Sequence, residues 1–174
     1  MRTEKCLIVL VGAPGSGKSE WARRNASAAV LVGQDEIIEA ITPTGFDVAC
    51  RSIYAAAEEA IAEAGLAANF LVIVDRTNRT RVLRQRWLQL ATRCGSLAVA
   101  VQMTASVELC RTRNKARTDH RRVSDERMER MIRAIEPATT DEGFVAVFRD
   151  TEASLESILQ FLNRYDLKGE CREA

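Results

Sequence analysis

The sequence predicts an α/β fold, a parallel five-stranded sheet with helices on both faces and a basic lid. Three observations carry that prediction. Five short apolar runs alternate with segments of helical period, which implies parallel strands buried on both faces. The first run, residues 6–11, passes straight into Gly12, Ala13, Pro14, Gly15, Ser16, Gly17, Lys18 and Ser19, a glycine-rich loop that opens a helix. A polar, basic stretch at about 114–123 lacks any apolar period and reads as a mobile lid.

Each element follows from its own residues. The helix after the loop should run from Lys18 to Ser27, with apolar Trp21 and Ala22 among charged neighbours. Residues 29–33 form a short buried strand that delivers Gln34 and Asp35 at its carboxyl end. A helix over 36–41 breaks at Thr42-Pro43-Thr44-Gly45. Residues 47–65 are alanine-rich and helical, with Gly65 read as the C-terminal cap. Residues 70–74 are a buried strand with Asp75 at its end. A helix over 79–93 stops at Cys94-Gly95, a strand covers 97–101, and a helix covers 106–114. Ser124 caps the next helix, with Asp125 and Glu126 in its first turn, and Pro137 bounds it. Residues 144–148 are the last strand. Leu155, Ile158, Leu159 and Leu162 mark a closing amphipathic helix.

Length and composition restrict the function. A chain of 174 residues predicts one domain spanning 1–174. The run at 6–11 is too short for a membrane span and reads as neither signal peptide nor anchor. The five cysteines are far apart with no Cys-x-x-Cys pair, which points to free thiols in a reducing cytoplasm. The single histidine, His120, cannot build a metal site or a catalytic triad with such scattered partners. The net charge of +1 conceals an asymmetry: residues 76–133 carry 15 basic and five acidic side chains. Ten net positive charges in 58 residues suggest a polyanionic ligand, although each arginine alone also suits a solvated helix face.

The loop carries the chemistry. Its glycines permit close backbone approach, so that N–H groups converge on a phosphate at the mouth of the helix. Lys18 can reach the β- and γ-phosphates of ATP, and the Ser19 hydroxyl can ligate Mg²⁺. Ligands of such sheets sit at the strands' carboxyl ends, which gathers Asp35, Asp75, Arg76, Thr77, Asn78 and Arg79 beside the loop. Asp75 suits a carboxylate that organises Mg²⁺ through water, or a turn residue capping the next helix. Asp35 suits a general base on an attacking hydroxyl, or a helix N-cap. Arg111, Arg113, Lys115 and Arg117 suit a lid that brings charge to a transferring phosphoryl group, or a basic helix end. Asn78, Arg76 and Arg79 are candidate substrate contacts. Trp21 and Trp87 lie on helices and read as core residues rather than base-stacking platforms.

In order and spacing, these pieces resemble the kinase domain of the polynucleotide 5′-hydroxyl kinases, in phage and in animal polynucleotide kinase-phosphatase. The resemblance rests on the loop followed by Trp21-Ala22, on Gln34-Asp35, and on Val74-Asp75-Arg76-Thr77-Asn78. It continues through Arg84-x-x-Trp87, Cys110-x-x-Arg113-Asn114-x-x-Arg117, Val123, and Glu136-Pro137-x-x-x-x-Glu142-Gly143-Phe144. It implies ATP and Mg²⁺ held by Lys18 and Ser19, and Asp35 as base on the 5′-hydroxyl of a DNA or RNA end. It also implies Arg113 against the nucleotide and Arg117 as the lid arginine. Two positions depart from the family. Gln34 stands where an arginine usually precedes the catalytic Asp, and Ile38 where the phage type has another arginine. The acceptor's phosphate contacts must therefore differ. The phosphatase signature Asp-x-Asp-x-Thr is missing, so 3′-phosphatase activity is not expected. A kinase acting on a sugar, nucleoside or antibiotic hydroxyl is the alternative, and a non-catalytic ATP-binding switch a third reading.

Overall fold

The computed structural model describes residues 5–119 and 121–164; His120 and Cys171 lie outside the described residues. The strands are β1 (Cys6–Val11), β2 (Ala29–Gly33), β3 (Leu71–Asp75), β4 (Leu97–Gln102) and β5 (Ala146–Arg149). They pair in the order β2-β3-β1-β4-β5, and every pair is parallel. The helices are α1 (Lys18–Asn25), α2 (Gln34–Ile41), α3 (Arg51–Ala67), α4 (Arg81–Arg93), α5 (Val107–Lys115), α6 (Asp125–Arg133) and α7 (Leu155–Leu162).

Strand alternation assigns the two faces. Leu7, Val9 and Val11 of β1 pack with Val72, Val74, Ala98 and Ala100, and with Ile37, Tyr54, Leu66, Trp87 and Leu90 from α2, α3 and α4. Cys6, Ile8 and Leu10 face the other way, onto Ile73, Val99 and Val101 and onto Trp21, Ala22, Ile158 and Leu162 from α1 and α7. Every residue of β1 is fully buried, as a central strand with two covered faces requires. A third cluster of Ala13, Cys110 and Met128, with Val123 and Ile132 against it, seats α5 and α6 beside the glycine-rich loop.

Several boundaries differ from the sequence expectation. Gly65 does not cap α3; it lies inside the helix, where a Cβ would come within 2.9 Å of Val72 Cγ2 and 3.3 Å of Val30. The glycine lets α3 press onto the sheet. The helix ends at Ala67, and Asn69 just beyond it takes the left-handed region at φ 62, with Phe70 N–H donating to Gly65 O and Asn69 N–H to Leu66 O. Its start is also later: Asp47 caps a 3-10 turn over Val48–Cys50, and α3 begins at Arg51. Phe70 falls outside β3 and is about half exposed, while Asp75 is the strand's last residue. Thr80, not Arg79, opens α4, its hydroxyl accepting from Leu83 N–H. Phe144 precedes β5 and is buried in the α4 layer, so the last strand begins two residues later than expected. Both tryptophans are core residues as expected, their indole N–H groups donating to Ala153 O and to Asn78 Oδ1.

One buried ion pair ties the second half of the chain together. The Arg84 side chain has no exposure and spends its guanidinium on Glu142 (2.6 and 2.7 Å) and on the carbonyls of Asn78, Glu136 and Pro137. Asn78, at φ 40, passes the constraint on by donating to Leu10 O at 2.8 Å. Leu10 is the penultimate residue of β1, so this chain of bonds supports the strand end from which the loop departs.

Candidate active site

The carboxyl ends of β1, β2 and β3 open into a cleft of about 930 Å³. Residues 14–19 form one wall. Gly17 sits in the left-handed region at φ 101 as the N-cap of α1, so the loop turns into the helix with backbone N–H groups free to face an anion. Gly15 is required for a second reason: at φ 77 a Cβ there would meet Cys110 O at 2.6 Å, because α5 lies against the loop. Gly12 and Ala13 are buried beneath the loop rather than on the cleft wall, and Gly12 N–H donates to Thr77 O at 3.0 Å.

Lys18 is 7% exposed and donates to Gly12 O (3.1 Å), Ala13 O (2.7 Å) and Ser16 Oγ (3.4 Å). Burial pushes its ammonium down to about 8, and the Asp75 charge opposes the shift. Asp75 is pushed up by burial, against the Ser19 hydroxyl hydrogen bond and the Lys18 charge. Ser19 and Asp75 therefore share one point beside the loop, a hard oxygen pair suited to Mg²⁺. Among the described residues no group of three or more His, Cys, Asp or Glu could hold an ion unaided. A magnesium ion here would complete its shell from phosphate oxygens and water, which is how Mg²⁺ binds with nucleotides. The glycine cradle, the unpaired buried ammonium and the oxygen pair fit ATP–Mg²⁺.

Asp35 lines the cleft, but not as a helix cap. Helix α2 starts at Gln34 with Gly33 as its N-cap, so the carboxylate stands in the first turn without capping. Register sets Gly33 opposite Asp75, which brings Asp35 and the Ser19–Asp75 pair out of adjacent strand ends. The N-cap alternative for Asp35 is thus removed, and its presence in the cleft stands on geometry.

The segment expected to form a lid leaves the helix later than expected, since α5 runs through Lys115. Asn114 is buried at its root and clamps Val123 from both sides, donating to Val123 O (2.7 Å) and accepting from Val123 N–H (3.0 Å). Arg113 lines the cleft and its Nη1 donates to Gly15 O at 3.4 Å. Arg117 also lines it, with Nη1 donating to Arg121 O. Arg121 reaches across to helix α2, 3.1 Å from Glu39 and 3.9 Å from Glu36.

The three candidate substrate contacts separate. Arg76 lines the cleft and pairs with Glu58 at 2.6 Å. Asn78 does not: it is 2% exposed, with its amide committed to Leu10 O and Trp87. Arg79 is also off the cleft, its Nε buried without a hydrogen-bond partner. The basic middle of the sequence is partly compensated in three dimensions, because Arg81, Arg84, Arg86 and Arg93 pair with acids from outside it, and Arg111 pairs with Glu129 within it. Arg122, one of the arginines of the basic middle expected to meet a polyanion, lines the cleft, and so do Phe46, Arg127 and Met131, which the sequence does not single out. Only their tertiary placement reveals them, since none belongs to a motif. Among the described residues no helix is long and apolar enough to cross a membrane.

Comparisons with known proteins find the same fold elsewhere. A Chloroflexus aurantiacus protein assigned as a kinase superposes with a TM-score of 0.68 at 19% identity, covering 94% of this chain and 96% of its own. A gluconokinase from Sinorhizobium meliloti gives 0.59 at 18% identity, covering 94% and 98%. A chain of a Pnkp1/Rnl/Hen1 complex gives 0.57 at 26% identity over 65% of this chain, which spans 40% of that chain. No curated protein matches significantly. The structure is a P-loop kinase-like α/β fold. Residues 7–138 match AAA_33, an AAA domain, and with more than half of its length so matched the chain belongs to that family.

Proposed function

We propose that the protein is an ATP-dependent kinase that phosphorylates a hydroxyl group, with the 5′-hydroxyl of a nucleic-acid end as its acceptor. The observation that carries this is the convergence of Lys18, Ser19, Asp75, Asp35 and Arg117 on one cleft. A nucleotide-binding switch needs the first three. It has no use for an uncapping carboxylate at the neighbouring strand end.

The chemistry follows from these positions. Asp35 takes the proton of the acceptor hydroxyl as its oxygen attacks the γ-phosphorus. The bond between γ-phosphorus and the β,γ-bridging oxygen breaks, and ADP leaves with the electron pair. Lys18 and Arg117 offset the charge spread over the transferring group. Ser19, with Asp75 through water, would hold Mg²⁺, which would supply charge neutralisation to the phosphates. Arg113 stays with the donor nucleotide, tethered to the loop at Gly15.

Support for a nucleic-acid acceptor comes from the ordered motifs and from the cations on the cleft wall, Arg76, Arg113, Arg117, Arg121, Arg122 and Arg127. The structural neighbour within the Pnkp1/Rnl/Hen1 complex points the same way. The gluconokinase, matched over nearly its whole length, favours a small hydroxy acid instead. Transfer of labelled γ-phosphate from ATP to 5′-hydroxyl oligonucleotides and to small alcohols separates the two. We expect labelled oligonucleotide. Labelling of a small alcohol alone would move the acceptor to the second class, and ATP turnover with no acceptor labelled would overturn the kinase reading.

A further inference from the structure

Arg76 stands one residue beyond β3, and the β2–β3 register places it at the strand end next to the one that delivers Gln34 and Asp35. All three line the cleft. The other residues these two strand ends contribute there are the acids Asp35 and Asp75 and the uncharged Gln34, Ile38 and Thr77, so Arg76 is the cation that the strand ends themselves supply, while Arg121 on this side is paired with Glu36 and Glu39.

Its side chain is held from behind. Nη1 donates to Glu58 Oε2 at 2.6 Å, and the Glu58 side chain has no exposure while Arg76 keeps 23%. Arg86 Nη2 donates to the same oxygen at 2.5 Å, and its guanidinium lies 4.0 Å over the Trp87 ring. Two guanidiniums share one carboxylate, leaving one net positive charge, and of the three residues only Arg76 lines the cleft. The second carboxylate oxygen, Glu58 Oε1, is buried with no hydrogen-bond partner. A buried ionic cluster left part-satisfied does little for stability compared with apolar packing. Its effect here is to fix one arginine at the mouth of the acceptor side. Burial lowers the Arg76 guanidinium from its ordinary value and Glu58 opposes this, so the group stays a cation with little water of its own. An anion that reaches such a fork gains more than it would at a solvated arginine.

We infer that Arg76, braced by Glu58, binds an anionic group carried by the acceptor next to the hydroxyl that Asp35 activates. The inference rests on the reading of this cleft as a phosphoryl-transfer site. It defines the substrate as an anionic alcohol. On a nucleic-acid end the anion is the phosphate at the 3′ oxygen of the terminal nucleotide; on a small hydroxy acid it is a carboxylate. Either source replaces the contacts that Gln34 and Ile38 cannot make.

The test is acceptor binding to protein saturated with a non-hydrolysable ATP analogue, using adenosine 3′-monophosphate against adenosine, and gluconate against glucose. The wild type should bind the anionic member of one pair at least tenfold more tightly, and the pair identifies the source. Arg76→Ala should bring that ratio within twofold of unity while affinity for the ATP analogue, which also reports folding, stays within twofold. Arg76→Lys, which keeps the charge without the fork, should fall between. Glu58→Gln should raise KM for the anionic acceptor more than it lowers kcat, with rescue by Glu58→Asp, as a positioning residue requires. Equal binding of both members by the wild type, or a preference that survives Arg76→Ala, overturns the inference. An Arg76-dependent preference without any phosphoryl transfer supports the anion contact and overturns the kinase reading alone.

Discussion

Lys18 makes the affinity for ATP depend on pH in a direction fixed by its burial. In the nucleotide-free protein its ammonium is held down to about 8, against an ordinary 10.5. The phosphates of ATP favour the charged form, so binding returns the group toward its ordinary range and takes up a proton above pH 8. Below about pH 8 the lysine is charged before and after binding, and this group contributes no slope. Above it, the free protein must first protonate Lys18, and affinity falls about tenfold per unit. Between pH 7.5 and 9.5 the dissociation constant should rise about 25-fold. Proton uptake should approach one per nucleotide at the upper end. Titration calorimetry in buffers of different ionisation enthalpy reads both quantities. Stability without nucleotide moves the opposite way: with the folded value below the unfolded one, the unfolded chain holds more protons between about 8 and 10.5, so Lys18 adds stability as pH rises through that window. Lys18→Met should remove the slope in affinity. A dissociation constant that stays flat from pH 7.5 to 9.5 would refute the reasoning, because the ammonium would then not be both desolvated in the free protein and in contact with phosphate in the complex.

Ser19→Ala should raise the Mg²⁺ concentration needed for half-maximal turnover, with less effect on nucleotide affinity measured without metal; an unchanged Mg²⁺ requirement would detach the Ser19–Asp75 pair from the ion. Arg84→Met should cost roughly 3–5 kcal/mol by urea denaturation, since it leaves Glu142 buried without its cation. The exposed Arg81–Asp141 pair, removed by Arg81→Ala, should leave the midpoint where it is. KM for a 5′-hydroxyl oligonucleotide should rise steeply with salt, with a log–log slope of about 0.7 for each single-strand phosphate neutralised, and Arg122→Ala should flatten it. A KM for the oligonucleotide indifferent to salt would count against a strand in the cleft.

The fold was legible because both of its signals are local. Continuous apolar runs such as 6–11 mark strands with two covered faces, and the loop at 12–19 fixes which end of the sheet holds the site. Boundaries were harder where a residue's role is set by a distant partner. Gly65 looks like a helix cap, yet its lack of a Cβ is needed against Val30 and Val72 on the sheet. Asn69, an inconspicuous residue in the sequence, supplies the left-handed turn. The same limit applies to the site. Lys18 and Ser19 come from the loop, Asp35 and Asp75 from strand ends, and Arg113 and Arg117 from the family resemblance, and the structure gathers all six in one cleft. Asn78 also belongs to that resemblance but spends its amide on Leu10 and Trp87, a commitment visible only once β1 and α4 are packed. The free positive surface is smaller than the charge count implies, because Glu58, Glu59 and Glu142, outside the basic middle, pair with Arg86, Arg93 and Arg84. Phe46 and Met131 reach the cleft from loops and helices with no chemical signature of their own.

The central claim is that this cleft transfers a phosphoryl group with Asp35 as the base. Single-turnover transfer by Asp35→Asn, beside its equilibrium affinity for ATP, tests it most directly. The account predicts a rate lower by about 10²- to 10⁴-fold with ATP affinity nearly unchanged. The carboxylate acts on the acceptor, whereas ATP is held by the loop, Lys18 and Arg113 on the other wall. A variant that transfers phosphate at close to the wild-type rate would contradict it.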